Sequence, residues 1–151
     1  MDHHTPGEHI AKLMYTYAER IDAGDFAGVA ELFAQATLTF EGFGDAITGR
    51  EAVEKLYERT TRRYENGTPR TKHVITNVIV DVDDDGTSAT SRSSFTVLQA
   101  VPGALALQPI IAGRYRTSFS YVDDAWRFTS VHIIVELVGD LGHHMLLDVV
   151  R

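Results

Sequence analysis

An α+β fold is predicted by the order of hydrophobic periods along the chain, which is helix-like before about residue 70 and strand-like after it. The strand-like segments run well past the ordinary length of about five or six residues, and a sheet of such strands must coil or bend to bury one face. The third observation is size. At 151 residues and 44% apolar content the chain fits a single domain, residues 1–151, able to bury roughly 70% of its unfolded surface. The expected architecture is a cone, with three N-terminal helices packed on a strongly curved mixed or antiparallel sheet that encloses a pocket.

The first helix is marked by Ile10, Leu13, Met14, Tyr17, Ala18 and Ile21, which recur on one helical face. Thr5, Pro6, Gly7 and Glu8 form a capping box with proline at the first helical position, and Gly24 after Asp22 and Ala23 supplies the stop. A second, short helix carries Phe26, Val29, Leu32 and Phe33 inward, and a short strand follows at Thr37 to Phe40. The third helix is expected to open at Thr48, capped by its hydroxyl with Glu51 reaching back, to carry Val53, Leu56 and Tyr57, and to end near Asn66 and Gly67. From Arg70 the period becomes two. Val74, Thr76, Val78, Val80 and Val82 alternate with His73, Ile75, Asn77, Ile79 and Asp81 until Asp83, Asp84, Asp85 and Gly86 turn the chain. Three long strands follow, broken at Pro102 with Gly103 and at Asp123 with Asp124. Gly113, inside the strand from about Leu107 to Tyr121, marks a bulge or bend.

Charge and composition narrow the function. With 14 Lys plus Arg against 21 Asp plus Glu, the net charge of -7 repels phosphate backbones and anionic headgroups, so neither nucleic acid nor a membrane surface is an expected partner. No apolar run approaches the ~20 residues that span a bilayer, and Met1 to Glu8 lacks a signal-peptide pattern, so a cytoplasmic protein is expected. The absence of cysteine leaves His, carboxylates, Tyr and Arg to carry any chemistry. No GxGxxG, P-loop or GxSxG occurs, which leaves nucleotide cofactors unsupported, and the expected cofactor set is empty. The neighbouring pairs His3 with His4 and His143 with His144 do not converge on one ion, so no metal site is expected.

Residues two apart share a face of a strand, so the pocket wall can be written out from one starting point for as long as no bulge intervenes. Taking His73 as inward adds Ile75 and Asn77. The next strands contribute Phe95, Val97 and Gln99, then Ile111, Gly113 and Tyr115, then Phe128, Ser130, His132 and Ile134. This set mixes bulky apolar groups with a few polar ones, as small-molecule sites do. His73 has two readings from position alone: a structural histidine satisfied by backbone, or an imidazole exchanging protons near neutral pH. Asp22 directly follows the buried position Ile21, and a carboxylate at a helix C-terminus calls for a compensating partner. Paired with one ring nitrogen of His73, it would orient the other as a base. Tyr17 on the helix stripe is core filler or a hydroxyl donor to a substrate oxygen. Tyr115 and His132 are candidate substrate contacts, and Arg114 with Arg116 point outward by parity. Val78, Val80, Val131, Ile133 and Val135 then make the opposite face too apolar for water unless helices or another subunit cover it, and an oligomer is expected.

Five segments in order resemble SnoaL-like proteins of the NTF2-like superfamily, which include scytalone dehydratase and the bile-acid 7α-dehydratases. They are YTYAERIDAGDFAGVAELF from Tyr15, TGREAVEKL from Thr48, TKHVITN from Thr71, AGRYRTSFSYVDDAWRF from Ala112 and ELVGDLGHH from Glu136. In those dehydratases an aspartate matching Asp22 and a histidine matching His73 form the proton-transfer dyad, and the bile-acid branch uses a tyrosine matching Tyr17. The pattern is not complete. A second histidine of scytalone dehydratase falls near Leu98 or Gln99, and its serine and asparagine fall at Gly113 and Tyr115. The further aspartate and arginine of the bile-acid enzymes fall near Thr96 and His132. The resemblance implies a cofactor-independent dehydratase, isomerase or cyclase, as a homodimer or homotrimer, acting on a hydrophobic cyclic substrate, a polyketide, steroid or aromatic compound, without naming it. The alternatives are a non-catalytic small-molecule-binding or assembly module, and a subunit supporting a metal oxygenase.

Overall fold

Helix α1, Pro6–Asp22, starts where its capping box places it: the Thr5 hydroxyl accepts from the Glu8 N–H at 3.3 Å while the Glu8 carboxylate accepts from the Thr5 N–H at 2.6 Å. The computed structural model describes residues 2–146, so residue 1 and residues 147–151 of the expected domain lie outside the described residues. Helix α2, Phe26–Leu32, follows after Gly24, whose φ of 73° closes α1; the Asp25 carboxylate caps α2 by accepting from the Gly28 N–H at 2.8 Å.

The stretch between α2 and α3 is a hairpin of β1, Thr37–Phe40, and β2, Phe43–Thr48, where the sequence pattern predicts one strand. β2 is nearly all exposed, so it carries no apolar alternation by which to be read. Thr48 is its last residue and pairs with Thr37, which removes Thr48 from the expected capping role. Helix α3, Arg50–Thr60, instead opens on Gly49 at φ 96° with no side-chain cap. It also stops earlier than Asn66 and Gly67. The Thr60 hydroxyl bonds back to the Leu56 carbonyl at 2.7 Å, and Thr61 turns extended to bridge Met145.

Four long strands follow: β3, Thr71–Val82; β4, Ser88–Val101; β5, Leu105–Val122; and β6, Ala125–Val138. The sheet order is β2-β1-β6-β5-β4-β3, antiparallel except where β1 runs parallel to β6. Bulges bend it. In β3 the register slips between Thr76 and Ile79, with Asn77 at φ 55°; in β6, Thr129 and Glu136 are the extra residues opposite Ser118/Phe119 and Ala112/Gly113. Gly113 stands at the last of these, and a Cβ there would lie 1.9 Å from the Ile134 carbonyl oxygen.

These slips overturn the facing assigned to several residues. Val78, Val80, Val131, Ile133 and Val135 point into the concave side and pack in or against the core, so the apolar outer face built from them does not exist. At the narrow end of the cone a file of rings closes the core. Tyr17 lies against Phe33 at 5.3 Å between centroids, Phe33 against Phe128 at 5.1 Å, and Phe128 against Phe119 at 5.0 Å. Each fully buried ring contributes about 1.5–3 kcal/mol. No helix among the described residues is long and apolar enough to cross a membrane.

Candidate active site

β3 is the edge of the sheet, so its outer backbone amides need partners that no strand supplies. Asp22, the last residue of α1, supplies one: its Oδ2 accepts from the His73 backbone N–H at 2.8 Å. Its Oδ1 accepts from the Thr71 hydroxyl at 2.9 Å and bonds the His73 Nδ1 at 2.6 Å. Three donors thus offset the unfavourable placement of an acid at a helix C-terminus. A carboxylate can only accept, so Nδ1 carries the ring proton and Nε2 keeps its lone pair. The pair is secluded, with side-chain exposures of 7% for His73 and 14% for Asp22.

The His73 ring lines a cavity of about 470 Å³ between the helices and the concave sheet. Phe95, Val97, Ile111 and Ile133 make its sheet wall, Leu56 and Tyr57 its helical wall, and Phe40, Phe43 and Ile47 of the β1–β2 hairpin its side. Its surface is mostly carbon. The Tyr17 hydroxyl faces that of Tyr57 at 3.4 Å, and the Tyr17 ring stands edge-on to His73 at 6.1 Å. Burial first, then neighbouring hydroxyls, holds both phenols well above their ordinary pKa of 10.0, so both stay protonated donors. Tyr115 is raised likewise and stacks on Phe95 at 4.5 Å. A second hollow, of about 440 Å³, lies between α1 and β3 and reaches the outer side of Asp22 and His73. Lys72 and Glu19 line it and it is far more polar for its size, so the carbon-walled cavity is the better receptacle for an apolar ligand.

Of the residues assigned to the pocket or its chemistry from the sequence, Tyr17, His73, Phe95, Val97, Ile111 and Tyr115 line this cavity, and Asp22 stands behind His73. The others go elsewhere. The extra residue Thr129 reverses β6, so His132 and Ile134 turn to the convex side, where His132 Nδ1 bonds the Thr39 hydroxyl at 2.7 Å. Phe128 keeps the inner side but sits below the cavity in the ring file. Asn77 is exposed on the β3 bulge. Gln99 faces inward, yet it is fully buried and clamps two loops, its Nε2 donating to the carbonyls of Pro69 at 3.0 Å and His143 at 3.1 Å. Several residues of the site escape the sequence pattern, among them Tyr57, Thr71, His144 and Met145. Tyr57 was read only as core and Thr71 only as part of a family segment, although Thr71 shares a strand face with His73. His144 and Met145 come from an irregular segment without periodicity, which the structure sews onto the end of α3.

Asp2, His4 and His9 form a small cluster at the start of α1, the one group of possible metal ligands among the described residues, and it lies apart from this cavity. The family model described as a SnoaL-like domain matches residues 6–132, most of the chain and both members of the Asp22–His73 pair. The chain belongs to the SnoaL-like family. No curated protein sequence matches this SnoaL-like chain. Solved structures similar to it include a Mycobacterium tuberculosis protein of unknown function, with 25% identity, a TM-score of 0.69, and 86% of this chain and 71% of that one covered. Two come from Novosphingobium aromaticivorans. One is an NTF2-like protein with a cystatin-like fold, at 22% identity and a TM-score of 0.69, covering 85% and 80%. The other is described as a candidate scytalone dehydratase, at 22% identity and a TM-score of 0.68, covering 87% and 85%. The SnoaL-like domain is thus an NTF2-like cone.

Proposed function

We propose that this SnoaL-like protein is a cofactor-independent enzyme that eliminates water beside a carbonyl of a hydrophobic cyclic substrate. One observation carries the reading: a His73 ring whose Nδ1 is fixed by Asp22 forms part of the wall of a carbon-lined cavity. In the proposed reaction the Nε2 lone pair takes the proton from the carbon next to the carbonyl, and the electron pair moves into an enolate. Tyr17 donates to the enolate oxygen as charge develops. The enolate then re-forms the carbonyl as the β-hydroxyl leaves, and that hydroxyl receives the proton from Nε2 to depart as water. Atoms and charges balance without a metal or cofactor, and Asp22 stabilises the imidazolium that exists between the two transfers. Isomerisation or ring closure would use the same base and donor. Likeness to a candidate scytalone dehydratase supports the choice of dehydration.

The test is a panel of cyclic β-hydroxy ketones followed by the ultraviolet absorbance of the enone or aromatic product. His73→Ala is expected to lower the rate by ~10² or more, and Asp22→Asn by a smaller factor, with the circular dichroism spectrum unchanged. A rate that survives His73→Ala sinks the mechanism. Tight binding of panel members with no turnover by the unaltered protein would instead make the cavity a carrier's.

A further inference from the structure

The proposed reaction leaves a buried histidine of the cavity unused. His144 is 8% exposed, and its ring lines the same cavity as His73. Its backbone is held from three sides. The His144 carbonyl accepts from the Arg62 N–H at 2.8 Å, the preceding His143 carbonyl accepts from Gln99 Nε2 and the Tyr64 hydroxyl, and Met145 bridges Thr61. The ring itself is not so held: Nδ1 is buried with no hydrogen-bond partner among the described residues. Buried polar atoms are nearly always bonded, so a cavity-lining ring that has one unbonded keeps hydrogen-bonding capacity for a ligand. Burial, and then the nearby His73, holds the ring's pKa down at about 4, which keeps it neutral at pH 7. A neutral imidazole offers one N–H donor and one acceptor, the complement of a hydroxyl group. The rest of the cavity lining, Leu141, Val97 and Ile111 among it, offers mostly carbon.

We propose that His144 is the specificity-determining residue of this cavity, hydrogen-bonding a hydroxyl on the ligand's ring system away from the carbonyl that His73 serves. The claim rests on the cavity being the ligand site, and it deepens that reading by requiring a hydroxylated ring over a bare hydrocarbon. Indane and 5-indanol, a pair differing by one hydroxyl, are the probes, with affinities measured by calorimetry on the full chain. His144→Leu is expected to lower the 5-indanol to indane affinity ratio by about tenfold while leaving indane binding nearly unchanged, and His144→Gln to restore part of it. In the unaltered protein at pH 7, the ring nitrogen resonances of His144 should shift with 5-indanol and not with indane, a readout that needs no variant. An unchanged ratio, a parallel loss of both probes with silent His144 resonances, or no binding of either probe overturns the inference. Because binding is read without turnover, loss of rate in His73→Ala leaves this result standing, and loss of this result leaves the rate test standing.

Discussion

Asp22 and Tyr17 sit five residues apart on α1 and meet the same imidazole in different ways. Asp22 takes hydrogen bonds from the His73 ring, the His73 backbone and Thr71, so it couples the end of a helix to the start of an edge strand. Tyr17 touches His73 only through ring edges, and its hydroxyl meets another phenol at 3.4 Å, a long contact that a ligand oxygen can replace. Tyr17→Phe keeps the ring packing, so a thermal melt should show a change within ~1.5 kcal/mol. The proposed reaction should slow about 10- to 100-fold, mainly in kcat, because the lost bond strengthens only as enolate charge appears. A variant that changes KM alone would make Tyr17 a binding residue.

At the scale of elements, the bulges decide more than the strands. Each β6 bulge bends the sheet around the cavity and reverses which side the following residues face, which is why Ile133 lines the cavity and His132 does not. Gly113 makes one bulge possible. A methyl group there meets the Ile134 carbonyl oxygen at 1.9 Å, a backbone atom that cannot step aside. Gly113→Ala is therefore expected to destabilise by about 1–3 kcal/mol or more, read as a lower urea midpoint. An unchanged midpoint would show that the strand relaxes freely there. The capping box of α1, the turn at Gly86 and the bend at Gly113 were all legible beforehand, since each is written in neighbouring residues. The exposed strand β2 was not, because it buries nothing of its own and exists by pairing with β1.

For the whole molecule, the cavity is kept open by a frame of buried rings and closed at one side by the segment carrying His144. That closure has a cost in acid. Between the ordinary value of 6.5 and about 4, the unfolded chain binds a proton at His144 that the folded protein does not. Stability is therefore level above pH 6.5 with respect to this group and falls as the pH drops through the window, by up to about 3 kcal/mol. The Glu8 and Asp85 carboxylates are held below their ordinary values of 4.5 and 3.8 by hydrogen bonds, first from the Thr5 and Thr87 backbone N–H groups, so what they contribute is present at pH 7 and is lost only as the pH falls below those values. Urea titrations at pH 7 and pH 4.5 should differ in midpoint, and His144→Leu should narrow the difference. An equal difference in the variant would assign the acid loss to other groups.

Local chemistry alone determined the kind and order of the elements other than β2 and the capping of α1, and it offered the pairing of Asp22 with His73 as one reading, which the family resemblance favoured. Periodicity and capping act within a few residues, so a single chain read in order contains them. The tertiary structure decided which strand residues face the cavity, because Thr129, Glu136 and Asn77 are surplus only relative to a partner strand. It also brought the aperiodic segment of His144 against α3 and β4. Sheet register and long-range closure belong to pairs of segments, and no single segment carries them.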